Sequence, residues 1–196
     1  MNFISYLLLI SLPVFFTGGE PKAPAVSKHV NNVKPADATY KVSRLKKAMP
    51  VDANWDKPQW KKVETIKIEK YMGAIPPFKP QVEAKMMYDQ DNVYVIFRVK
   101  DRFVKSVVQE YNGNVSGDSC VEFFFAPDSE LPLKYFNLEI NAGGTPLIYY
   151  VSKPWTEFAK LKNDEIKQIE IAHSLPSKVD PEITEPVTWT LEYRLP

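Results

Sequence analysis

The strongest constraint in this sequence is a two-residue alternation that restarts again and again between turn signals. Phe136-Asn137-Leu138-Glu139-Ile140-Asn141 is the plainest case. In an extended chain successive side chains point to opposite faces. Phe136, Leu138 and Ile140 are therefore expected in a core, with Asn137, Glu139 and Asn141 lining the other side. The stretch from Val82 to Tyr88 alternates in the same way, Asp89-Gln90-Asp91-Asn92 is a turn cluster, and Val93 to Val99 is rich in β-branched and aromatic residues. Together they predict an antiparallel hairpin. Val93, Val95, Phe97 and Val99 share its core face, and Tyr94, Ile96 and Arg98 share the other.

Further strands are expected over residues 40–45, 63–70, 119–126, 134–141, 145–151, 166–172 and 187–194. Pro127-Asp128, Gly143-Gly144 and Pro154 end three of them. Seventeen prolines punctuate the chain, and proline neither continues a helix nor donates to a sheet ladder. No stretch carries a sustained 3.6-residue apolar stripe, and only residues 156–161 suggest a weak helical turn. Many short strands with regular turns indicate an all-β fold, an antiparallel β-sandwich of the jelly-roll or immunoglobulin-like kind.

Charge narrows the function. Lys and Arg number 25 against 24 Asp and Glu, a net charge of +1, so no field draws in a nucleic acid or an anionic membrane. The single cysteine, Cys120, rules out a disulfide framework and a cysteine zinc cluster. Lying in an apolar run, it is expected to be packed and inert. His29 and His173 show no pairing that suggests ligation or catalysis.

Residues 1–19 read as a signal peptide. Phe3 to Phe16 is almost wholly apolar and too short to span a bilayer as a helix, and Thr17-Gly18-Gly19 follows with small residues. Met1-Asn2 adds no basic side chain. Residues 20–38, polar and containing Pro21, Pro24 and Pro35, read as a flexible linker. A single domain is expected over residues 39–196, exported to the outside or the periplasm, with no membrane association beyond the export signal.

The polar rungs carry the functional signal. Glu122 interrupts the apolar run Cys120-Val121-Glu122-Phe123-Phe124-Phe125, and a carboxylate there must face solvent or find donors. Glu122, Asn137, Glu139 and Arg98 form a candidate polar floor. Carboxylates and amides there pair with the hydroxyls of a sugar diol. An ordinary solvated outer face shows the same spacing. Aromatic rings stack on sugar faces at little entropic cost. Trp155, in Lys153-Pro154-Trp155-Thr156, is the best exposed platform, and Tyr71 is a second loop aromatic. Trp60 and Trp189 are expected in the core, and Trp55 is ambiguous.

Several of these segments resemble the family 9 carbohydrate-binding modules. Pro50 to Trp60 is similar to their opening strand, and Asn92 to Asp101 to a second signature strand. Asp118-Ser119-Cys120-Val121-Glu122 with Phe123-Phe124 is similar to their Asp-Ser-Val-Glu-aromatic strand, and Tyr135 to Asn141 to the strand after it. The resemblance covers roughly residues 40–196. It implies a β-sandwich related to the DOMON group, non-catalytic sugar binding, association with secreted polysaccharide-degrading enzymes and, in some members, structural calcium. Glu122 matches a family carboxylate that bonds sugar hydroxyls, and Asn137 a polar residue on the next strand. Well-studied members clamp the sugar between two tryptophans. Here Asn112-Gly113-Asn114-Val115 stands at the first, with Tyr111 nearby as a substitute out of register. The loop of the second lies beyond Pro196, so either the chain is a C-terminal truncation or an aromatic clamp is not how it binds.

The binding sites expected are thus Arg98, Tyr111, Glu122, Asn137, Glu139 and Trp155, with carbohydrate as partner and no cofactor. Structural calcium is compatible with Asp89, Asp91, Asp101, Asp118 and Asp128, although their spacing matches no calcium loop. Two other functions compete. A glycoside hydrolase needs two carboxyls roughly 5–5.5 or 6.5–9.5 Å apart, for which Glu122 and Glu139 are candidates. A scaffold domain would present an apolar or strand-edge patch in place of a polar floor.

Overall fold

A computed structural model describes residues 5–6, 39–70 and 78–196. The strands are β1 (Ser5–Tyr6), β2 (Ser43–Arg44), β3 (Ile66–Ile68), β4 (Gln81–Tyr88), β5 (Val93–Asp101), β6 (Val104–Ser106), β7 (Cys120–Phe125), β8 (Tyr135–Asn141), β9 (Pro146–Lys153), β10 (Glu157–Lys160), β11 (Glu170–His173), β12 (Val179–Ile183) and β13 (Val187–Leu195). A four-residue helix, α1 (Asn163–Ile166), precedes β11. The expected leader and linker lie outside the described residues, apart from Ser5–Tyr6, whose backbone pairs with Phe124 and Phe125.

Two sheets form a β-sandwich. One runs β1-β7-β8-β9-β10; the other runs β11-β13-β5-β4-β2, with β3 also on β4, and β6 pairs separately with β12. Pairing is antiparallel except between β2 and β4. Between the sheets lies the main core. Val95, Phe97, Val99, Trp189, Leu191 and Tyr193 come from one side, and Val121, Phe123, Leu138, Ile140 and Ile148 from the other. The rings of Phe123 and Tyr193 meet across it at 6.4 Å. Alternation alone places these residues inside, as expected for β5, β8 and Trp189.

The six-stranded sheet is covered on its outer face as well. Leu45, Met49, Trp55, Trp60 and Val63, from the segment before β3, close over Met87, Tyr94 and Ile96 in a second apolar cluster. Trp60 is therefore buried as expected, but in this outer layer. At its centre Glu192, opposite Ile96 on β13, is fully buried. Its carboxylate accepts from the backbone N–H of Asp52 (2.9 Å) and Ala53 (2.8 Å), from Lys57 Nζ (2.8 Å) and from Trp60 Nε1 (2.9 Å). Four donors offset the loss of water around one buried charge.

Three expectations need correcting. Residues 157–160 form the edge strand β10 rather than a helical turn, because pairing with β9 satisfies their backbone. The strand expected from 166 begins only at Glu170, since residues 163–166 close a helical turn that buries Ile166. Strands β6 and β12 were not foreseen. Pro181 argues against a strand, yet a two-stranded edge tolerates it. The β8–β9 turn falls at Gly143–Gly144 as expected. Gly144 has φ 86°, and a Cβ there would lie 2.4 Å from the His173 ring, so no other residue fits.

Candidate functional site

The outer face of the five-stranded sheet is built by register. Glu122 on β7 stands directly opposite Glu139 on β8, and Phe124 opposite Asn137. Asn137 in turn faces Tyr149 on β9, and Glu139 faces Leu147. Two adjacent rows of side chains, Glu122–Glu139–Leu147 and Phe124–Asn137–Tyr149, thus cross three strands on the face away from the core. Directly opposed positions hold their Cβ atoms about 4.5–5.5 Å apart, so the two carboxyls are neighbours.

The register is pinned at one end by Asp118 and Asn141. The Asp118 carboxylate accepts from Val107 N–H (3.0 Å), Val108 N–H (2.9 Å) and Asn141 Nδ2 (2.9 Å). Asn141 also donates to Val108 O, and its Oδ1 accepts from Thr145 N–H at 2.7 Å. Asn141, expected on the polar floor, is thus a structural tie, and so is Asp118.

The floor is poor in donors. Asn137 Nδ2 donates to Glu139 Oε1 at 2.9 Å and to the Tyr149 hydroxyl. Asn137 Oδ1 and Glu139 Oε2 are buried and have no hydrogen-bond partner. Among the described residues no Lys, Arg or His forms an ion pair with Glu122 or Glu139. Burial first, and the facing Glu139 second, push Glu122 up to about 8. Burial raises Glu139 too, against the pull of the Asn137 hydrogen bond. Cys120, buried as expected, lies two residues away on the same face, with Sγ 4.0 Å from Glu122 Oε1. Aromatic rings flank the pair. Phe124 and Tyr135 approach at 5.9 Å, and Tyr149 and Phe158 at 5.4 Å.

Of the expected site residues, Glu122, Asn137 and Glu139 come together. Arg98 does not. It lies on β5, on the outer face of the opposite sheet, where it pairs with Glu83 at 2.6 Å and covers the Trp55 ring at 4.4 Å. Its alternation with Phe97 and Val99 was read correctly, but sequence does not say which sheet that face belongs to. Tyr111 is partly exposed in a loop that Asn112 ties to the edge of β9 through Pro146 O, Ile148 N–H and Leu161 O. Trp155 stands at the β9–β10 hairpin tip, 98% exposed. Tyr71 lies outside the described residues. Phe124, Tyr135, Tyr149 and Phe158 escaped sequence reasoning. Period-2 parity from Asn137 was the available signal, but β9 and, apart from Glu122, β7 carry apolar and aromatic residues on both faces and conceal it.

Of the candidate calcium ligands, Asp89 closes its turn instead. It accepts from the N–H groups of Asp91 and Asn92 and from the Tyr94 hydroxyl. Among the described residues no group of three or more His, Cys, Asp or Glu is placed to hold a metal ion.

Comparison with known structures agrees on the fold. A Bacteroides uniformis protein whose structure is named for carbohydrate binding superposes with a TM-score of 0.70 at 22% identity, over 79% of this chain and 71% of that one. A family 9 carbohydrate-binding module of Caldicellulosiruptor kristjanssonii, solved with cellotriose, superposes at 0.52 and 14% identity, over 80% and 67%. No curated protein sequence matches. The model of carbohydrate-binding family 9 matches residues 48–196, which include both sheets' central strands and Glu122, Asn137, Glu139 and Tyr149, and the chain belongs to that family.

Proposed function

We propose that this family 9 chain grips its carbohydrate on the outer face of β7, β8 and β9, and does so without catalysis. The observation that carries the reading is the pair of buried, unpartnered acceptors, Asn137 Oδ1 and Glu139 Oε2, beside the half-buried Glu122. Native proteins rarely leave such atoms unsatisfied, and sugar hydroxyls are donors of the right kind. Phe124, Tyr135, Tyr149 and Phe158 supply apolar ring surface alongside. Trp155 extends that surface at the hairpin tip. Its φ of 67° is a costly conformation for a bulky side chain, and no packing at 98% exposure accounts for it. Glu122 and Glu139 stand side by side on one floor, whereas the carboxyls of a glycosidase flank the bond they break.

Export through the apolar segment from Phe3 to Phe16, and a role in polysaccharide breakdown by holding substrate near an enzyme, complete the proposal. Among the described residues no helix is long and apolar enough to cross a membrane. Titration calorimetry of the full chain with cellotriose tests the site. Glu122→Gln and Asn137→Ala should each weaken binding about tenfold or more, the effect of losing a hydrogen bond in a desolvated site. Unchanged affinity in both variants would move the site elsewhere. Reducing sugar released by the wild type and abolished in Glu122→Gln would replace binding with catalysis.

A further inference from the structure

Among the described residues the Glu122–Glu139 pair has no counter-charge, and the other buried acids show how unusual that is. Glu192, fully buried, has Lys57, an indole N–H and two backbone N–H groups. Asp118 has three N–H donors. Among the described residues the facing pair has one N–H donor between its two carboxyls, Asn137 Nδ2. We propose that the missing charge comes with the ligand: the site takes an amino sugar whose free ammonium sits between Glu122, Glu139 and Asn137. This rests on the sugar-binding reading above and names the class of sugar.

The chemistry matches in number. An ammonium has three donors and no acceptor. The floor offers three acceptor positions: the Glu122 carboxylate, Glu139 Oε2 and Asn137 Oδ1, the last two without partners. A divalent ion fits less well, since calcium takes about 6–8 oxygen ligands and no third acidic side chain joins the two. The aromatic rings beside the pair favour a cation near their faces. Among the described residues, the titratable groups around the pair are Cys120, Tyr135 and Tyr149, and none is cationic. Near neutral pH the buried pair holds a proton, as the raised Glu122 indicates. Ammonium binding leaves both carboxyls ionised, and that proton passes to the buffer. A neutral sugar expels none.

The test is calorimetry on the full chain at about pH 6.5, where an amine of ordinary basicity stays protonated. The probes are a glucosamine trimer, its N-acetylated counterpart, cellotriose and calcium chloride, each in two buffers of different ionisation enthalpy. The glucosamine trimer should bind about tenfold tighter than either neutral trimer. It should release up to one proton, and its affinity should fall with added salt. Glu139→Gln and Glu122→Gln should each erase the preference; if one fails to fold, the other decides. Neutral trimers that bind as well as the amine overturn the amino-sugar assignment and leave the sugar site standing. Failure of every trimer overturns both. Calcium binding lost in Glu122→Gln, with no preference for the amine, would give the pair to a metal.

Discussion

Both sheets carry buried acid on their outer faces, and they treat it in opposite ways. On the six-stranded sheet Glu192 is roofed by the segment from Leu45 to Val63 and paired with Lys57 at 2.8 Å. On the five-stranded sheet Glu122 and Glu139 face each other with no cation paired to them among the described residues, and two nearby acceptors are unsatisfied. One arrangement is complete in itself and locks a layer onto the sandwich. The other becomes complete only when something outside the chain supplies donors. A buried carboxylate is thus not in itself a mark of function; what matters is whether the fold provides its partners.

The comparison can be broken from either side. The largest effect is expected from Lys57→Met. It leaves the Glu192 charge buried with its cation gone and should cost about 3–5 kcal/mol, read as a fall in the urea midpoint. A neutral result would mean that the paired cluster does not hold the layer in place.

A smaller effect comes from pH. Glu122 rises on folding from its ordinary 4.5 to about 8. Across that window the folded state holds this proton more tightly than the unfolded one, so the contribution of Glu122 to stability is greatest below pH 4.5 and declines as pH rises toward 8. Glu122→Gln should flatten that decline in denaturation curves between pH 5 and pH 8. An unchanged slope would show that the pair is not desolvated as the register implies.

The smallest effect on stability belongs to Trp155→Ala. With 98% of the residue exposed, the thermal midpoint should stay within the shift of about 0.5 kcal/mol typical of surface changes, while sugar affinity falls. Lost stability with intact binding would make Trp155 a structural residue and confine the site to the polar floor.

Legibility followed the contrast between the two sides of each strand. Strand β8 alternates apolar and polar without exception, and both its core face and its polar face were read correctly, Asn137 and Glu139 included. Strands β9 and, apart from Glu122, β7 carry apolar and aromatic residues on both sides, so Phe124 and Tyr149 could not be placed on the outer face from spacing. The same ambiguity hid the second apolar cluster, since Tyr94 and Ile96 look like a solvent face until the segment before β3 is seen lying on them. The short edge strand β10 owes its form to β9 rather than to its own pattern.

Local sequence determined the extended conformation, the positions of the hairpin at Asp89–Asn92 and the turn at Gly143–Gly144, and which side chains of β5 and β8 share a face. Those follow from backbone sterics and a period of two, which neighbouring residues settle among themselves. Only the tertiary structure decided that Glu122 faces Glu139, that Arg98 belongs to the other sheet, and that Glu192 finds Lys57 from 135 positions away. Strand pairing and layer assignment are choices among distant partners, made by the burial of whole faces at once, and no local pattern records them.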